Sequence, residues 1–187
     1  ANNLNNFDTY GALYNWHAVH DIRRLAPTGW HVPTDEDWKQ LEMFLGMSRS
    51  EVDAEQWRGE FEGCKLKATG TLEDGNGLWN SPNLCASNES CFSALPGGFQ
   101  SGNYTYYYPL GHAAIFWSST AINGSEAWLR IIHYYGPTGG RINRDYEDQD
   151  YGFSIRCVKG ENDDQGPEAP SLISPENNIT ISNNTPS

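Results

Sequence analysis

Five side chains with oxygen ligands fall within eight residues, at Asn143, Asp145, Glu147, Asp148 and Asp150. Ca²⁺ takes about six to eight oxygens from flexible loops, so this segment is the candidate calcium site. It lacks the D-x-D-x-D-G spacing, and a solvated acidic loop is the plainer reading. A second candidate is the aromatic tract Tyr104, Tyr106, Tyr107 and Tyr108. Strand alternation sets Tyr104, Tyr106 and Tyr108 on one face, where flat rings with polar rims would stack on sugars. Cross-strand packing within a hairpin is the competing use of the same rings.

The remaining chemistry-bearing residues point away from catalysis. His17, His20, His31, His112 and His133 are dispersed, and two of them follow tryptophans, where a hydrogen-bonded structural imidazole is the ordinary outcome. No Ser-His-Asp order, Gly-rich phosphate loop or nucleophile elbow is present. The expectation is a protein that is not an enzyme. Cys64, Cys85, Cys91 and Cys157 have neither CxxC spacing nor a paired-His motif, which weakens a zinc reading and favours disulfides in an oxidising compartment. Three pairings are possible and the sequence does not choose between them. The closeness of Cys85 and Cys91 makes a local staple the first expectation, leaving Cys64 and Cys157 as a long-range clasp.

The elements that must position these residues are short. At 187 residues the chain can bury one proper core with a little left over. Nineteen Gly and ten Pro argue for many turns and short strands. Seven Trp suit an irregular fold packed around large side chains, and Trp16, Trp30, Trp38 and Trp117 are the expected core. A formal charge of −12 disfavours nucleic acid and anionic membranes as partners, and no segment has the apolar length to insert into a membrane. The chain begins at Ala1 without Met or a signal peptide, and is read as an exported, processed product.

The chain's organising segment is Gly29 to Trp38. Its first half reads as a strand, and Thr34 with Asp37 then forms a capping box that opens a helix. Trp38, Leu41 and Leu45 recur at helical spacing before Gly46. Upstream, Leu13, Trp16 and Val19 predict a helix over Thr9 to His20. A short helical turn is expected around Glu51–Trp57, and the alternating Cys64-Lys-Leu-Lys starts the small sheet. His112 to Thr120 and Ala127 to Tyr135 are the best strands, joined by a turn at Pro137-Thr-Gly-Gly. Tyr151 to Lys159 closes the body. Helices early and antiparallel strands late predict an α+β fold with two short helices and small antiparallel sheets. Residues 160–167 read as a linker. Residues 168–187 hold no Lys or Arg and carry Leu172, Ile173, Ile179 and Ile181 in β-like pieces, an extended β-forming tail.

Several blocks carry a family resemblance. Tyr10-Gly-Ala-Leu-Tyr-Asn-Trp16, Pro27-Thr-Gly-Trp-His-Val-Pro-Thr34, Phe92-Ser-Ala-Leu-Pro-Gly-Gly98, Phe116-Trp-Ser-Ser-Thr120 and Tyr151-Gly-Phe-Ser-Ile-Arg-Cys-Val158 stand in that order. They resemble the Fibrobacter succinogenes major paralogous domain family, within the formylglycine-generating-enzyme and C-type-lectin-like superfamily. The resemblance implies a C-type-lectin-like domain over residues 1–159, a bacterial and largely secreted setting, and calcium held in loops. Relatives often carry a Cys just before Pro-x-Gly-Trp as partner to the Cys of the last strand; here Ala26 stands there. The superfamily's oxidative enzymes use a late cysteine pair that this chain does not match. Relatives also have an upstream strand-rich segment with no counterpart here, and the tail resembles the opening strand of a bacterial immunoglobulin-like module.

Together these point to a non-enzymatic extracellular or cell-surface protein. The first expectation is a structural or adhesive subunit whose copies assemble into filaments by head-to-tail exchange of the C-terminal strand. The alternative is a carbohydrate-binding, lectin-like module of a larger secreted protein, with glycans as partners.

Overall fold

A computed structural model describes residues 4–103 and 107–160. The capping box forms as the sequence predicts. Thr34 Oγ1 accepts from the Asp37 amide at 3.1 Å, and the Asp37 carboxylate accepts from the Thr34 amide at 2.8 Å. The helix it opens, Asp35–Leu45, carries three acidic residues in its first turn, against the positive end of its dipole. It stops at Gly46, whose φ of 131° suits a residue without Cβ.

Taken in chain order, the helices are α1 (Leu4–Tyr10), α2 (Trp16–Val19), α3 (Asp35–Leu45), α4 (Arg49–Asp53) and α5 (Glu62–Leu66). The strands are β1 (Trp30–His31), β2 (Gln56–Arg58), β3 (Phe99–Gln100), β4 (Tyr107–Tyr108), β5 (Ala113–Ala121), β6 (Glu126–His133), β7 (Ile142–Asp148) and β8 (Val158–Lys159). The main sheet has the order β2-β7-β6-β5, antiparallel throughout, and two-stranded ribbons β1-β8 and β3-β4 flank it. This is a mixed fold of short helices and small antiparallel sheets, and no helix among the described residues is long and apolar enough to cross a membrane.

Strand alternation splits the core between the two faces of the main sheet. Ala114, Phe116, Ile132 and Ile142 join Trp38, Leu45, Val52, Leu66 and Trp79 on one face. Ala113, Ile115, Trp117, Ala127 and Leu129 join Trp16 and Phe153 on the other. The β3-β4 pair is the hairpin expected for the tyrosine tract, with Phe99 opposite Tyr108.

Several local expectations are corrected. The helix predicted over Thr9 to His20 is two helices, because Gly11 takes a φ of 78° and Tyr14 exchanges backbone hydrogen bonds with Phe153 (2.8 and 3.0 Å). Asn15 then restarts the chain by capping α2. Cys64 to Lys67 does not begin a sheet. It lies on and just after α5, which packs so closely that a Cβ at Gly63 would sit 2.6 Å from the Arg141 carbonyl oxygen. The Pro137 turn joins β6 to β7, whereas β5 and β6 meet across Ile122–Ser125, where Asn123 accepts from the Ser125 and Glu126 amides. Trp30 is 43% exposed and not core; on a two-residue strand neighbouring side chains take opposite faces, and His31 has the inner one.

The cysteine expectation also changes. The disulfide is Cys64–Cys85, while Cys91 and Cys157 are free. The reason is the path of residues 84–90 along α5. The Ser87 amide donates to the Cys64 carbonyl at 2.9 Å, and the Ser90 amide donates to that of Lys65 at 3.2 Å. Cys85 is thus delivered to Cys64 rather than to Cys91. Burial pushes the Cys157 thiol pKa up, against the opposing charge of Arg156.

A buried lysine ties the same region to the sheet. The Lys67 ammonium donates to the carbonyls of Leu84 (2.7 Å), Gly139 (2.8 Å) and His133 (3.1 Å). Burial lowers its pKa to about 8.

Candidate functional site

The site is built on charges buried under α3. Asp35 and Glu42, seven residues apart, share the helix face that meets the main sheet. There the register pairs Arg130 of β6 with Arg144 of β7, two like charges side by side. The carboxylates make that arrangement tolerable. Asp35 accepts from Arg130 Nη1 at 2.9 Å and from Arg144 Nη2 at 2.8 Å. Glu42 accepts from Arg130 Nε and from Arg58 Nη2, each at 2.6 Å. Lys39 completes the group, 3.4 Å from Asp35 and 2.8 Å from Asp53.

Burial alone would raise the Asp35 carboxyl, but hydrogen bonds and charge from Arg144 and Arg130 outweigh it and hold the pKa at about 2. Arg58 is pushed down to about 10, by burial first, with Glu42 opposing and the neighbouring arginines reinforcing the shift. The Asp35 shift has a definite sign. A depressed carboxyl stabilises the fold fully above its unfolded pKa of 3.8, and the contribution disappears as pH falls toward about 2. Its size is about 2 kcal/mol at neutral pH. Denaturant melts between neutrality and pH 2 should therefore steepen below 4, and Asp35→Asn should flatten that acid limb. An unchanged pH profile in the variant would refute the coupling.

One arginine of this group reaches outward. Arg144 Cζ stands 3.5 Å from the centroid of the Trp128 ring, a close cation–π contact. Across the strands Trp128 pairs with Tyr146, their rings edge-to-face at 5.8 Å. The next pair along is Glu126 opposite Asp148. Trp128 is half-buried and Tyr146 is 40% exposed. The result is an aromatic ledge at the end of the sheet, braced from beneath by Arg144 and flanked by two carboxylates. Such a ledge offers apolar ring surface beside hydrogen-bond acceptors, on rigid strands rather than on loops.

Four of the five residues singled out for calcium, Asn143, Asp145, Glu147 and Asp148, lie on a strand and not in a loop. Asn143, Asp145 and Glu147 alternate onto one face of β7, Asp148 takes the other, and Asp150 lies past the strand end, 3.2 Å from His17. Side chains on opposite faces of a sheet cannot close around one ion, so the five residues do not form a single calcium site. Among the described residues no group of three or more His, Cys, Asp or Glu is placed to hold a metal. Burial raises the Glu147 carboxyl pKa, the Asp148 amide opposes the shift, and the charges of Asp145, Asp148 and Glu126 add to it.

Tyr104 and Tyr106 lie outside the described residues, as does the side chain of Tyr108; so do Leu172, Ile173, Ile179 and Ile181. Trp128, Tyr146, Glu126 and Arg144 were missed as a site, as were the buried carboxylates and their arginines. Glu126, Trp128 and Arg130 already alternate in the sequence, as do Arg144, Tyr146 and Asp148. What the sequence lacked was the register that sets the two rows against each other.

No curated protein matches the chain, and no solved structure does. The family comparison does match, over residues 1–159, by far the larger part of the chain. The chain belongs to the Fibrobacter succinogenes major domain family.

Proposed function

We propose that this domain is a non-enzymatic, C-type-lectin-like module of an exported protein, and that its ledge binds neutral polysaccharide chains outside the cell. The observation that carries the reading is the Trp128–Tyr146 pair, braced by Arg144 and bordered by Glu126 and Asp148. A pyranose ring offers a patch of C–H groups to an aromatic face and hydroxyl donors to carboxylates. The negative border selects against uronate and sulfated polymers, because like charges would meet in a partly dehydrated contact. The Cys64–Cys85 disulfide is compatible with an extracellular setting.

Filament assembly by strand exchange remains the competing proposal, and its donor, the 168–187 tail, lies outside the described residues. The edges of the main sheet favour it less. The β5 edge is occupied by the chain itself, Trp117 donating to the Ser154 carbonyl (3.1 Å) and Ser119 to that of Pro33 (2.8 Å). Past the end of β2, the amides of Tyr146 and Asp148 donate to the carboxylates of Asp145 (3.0 Å) and Glu147 (3.4 Å). An edge so capped and so charged resists an added strand, the more so an acidic one.

Affinity electrophoresis in gels of neutral glucan and polygalacturonate separates these readings. The module should be retarded by a neutral glucan and not by the uronate polymer. Tyr146→Ala should reduce the retardation by about tenfold in apparent affinity, the scale of one lost aromatic contact of 1–2 kcal/mol. Equal mobility in the two gels, together with concentration-dependent polymer growth that disappears when residues 168–187 are deleted, would replace the ledge reading with the assembly one.

A further inference from the structure

A second pocket shares no residue with the ledge. A cavity of about 90 Å³ opens where the end of α1 meets β5 and the segment before β8. Its apolar wall is Leu95, Phe116 and Ile155, and its polar wall is Tyr10, Ser93, Ser154 and Arg156. Every polar group in that wall can donate, and none is a carboxylate.

The donors are also uncommitted. Ser93 Oγ accepts from Asn88 Nδ2 at 2.8 Å, which leaves its own proton to give. Among the described residues the hydroxyls of Tyr10 and Ser154 make no hydrogen bond, and Arg156 makes no ion pair. Arg156 is solvent-exposed, and its Cζ stands 4.7 Å from the centroid of the Phe92 ring. In a chain of net charge −12, a guanidinium without a carboxylate beside three hydroxyls is a cavity arranged for an anion.

The size and wall narrow the anion. The volume is that of roughly three waters, enough for a carboxylate and two or three carbons. A single cation balances one negative charge, and the three apolar residues would lie idle against sulfate or phosphate. We propose that this cavity binds a monovalent carboxylate on a short aliphatic stem, free or carried at the end of a peptide.

The test is an NMR titration of the full chain with propionate, with acetyl-alanine as the chain-terminus analogue and sulfate as the control. Propionate should shift the Ser154 and Arg156 amides saturably in the millimolar range. Arg156→Gln should weaken that binding by about tenfold while lowering the melting temperature by no more than a few degrees, through the lost contact with Phe92. Ser154→Ala should weaken it less, through one lost hydrogen bond. Tighter binding of acetyl-alanine assigns the group to a chain terminus and tighter binding of propionate assigns it to a free acid; either upholds the site. Shifts that fail to saturate by about 100 mM, equal response of the variant, or equal response to sulfate would overturn it. Because no residue is shared, loss of this site leaves the glucan result untouched.

Discussion

Replacing Glu42 by Ala should destabilise the fold by about 3–5 kcal/mol, the cost of leaving a buried charge without its partner. Glu42 is fully buried and accepts from Arg130 and Arg58, which are themselves buried. Without it, two guanidinium groups would face each other in a poorly solvated space with Asp35 as the remaining buried carboxylate. Glu42→Gln separates charge from shape, since it fills the same volume and keeps an acceptor, and it should cost less than Ala. Replacing Glu42, Arg58 and Arg130 together by Met should recover most of the loss, because the desolvation penalty goes with the charges. Urea melts of the three variants decide the matter. A loss under about 1 kcal/mol for Glu42→Ala would mean that water reaches the group and that it is not a buried network.

The second large effect is expected at Trp38. Trp38→Ala should cost about 3–5 kcal/mol, the range for emptying an aromatic site in a core. The ring is 2% exposed and lies between Phe92 (5.8 Å) and Phe116 (5.7 Å), with Arg130 Cζ 6.0 Å from its centroid. Its indole Nε1 is buried with no partner. Trp38→Phe should therefore be far milder, since it gives up volume but also removes an unsatisfied donor. Thr34→Ala, a turn earlier, should cost only about 1 kcal/mol through the lost cap. Denaturant melts in which Thr34→Ala costs more than Trp38→Ala would show that the corner is held by its cap and not by its packing.

These two positions also divide what was legible from what was not. The Thr34–Asp37 box, the Trp38 stripe and the stop at Gly46 were readable because each depends on residues within one or two helical turns. The strands β5 and β6 were readable for the same reason, as runs of Ile, Phe and Trp long enough to need pairing. Glu42, by contrast, has nothing in its local sequence to distinguish it from a surface carboxylate of an amphipathic helix. It became the buried centre of the fold because the sheet delivers Arg58 and Arg130 to it from 16 and 88 residues away.

The sequence by itself determined the α+β class, the helix boundaries near Thr34 and Gly46, and membership of the family. All of these are recorded in local periodicity, capping residues and short ordered motifs. The tertiary structure alone decided which cysteine meets Cys64, whether 143–150 is a loop or a strand, and that Trp128 and Tyr146 stand side by side. Each of those is a question of register between distant segments. A shift of one residue in the β6–β7 pairing would move Trp128 to the other face while leaving every local preference unchanged. Register is held here by Arg130 and Arg144 converging on Asp35, an interaction that no window of neighbouring residues contains.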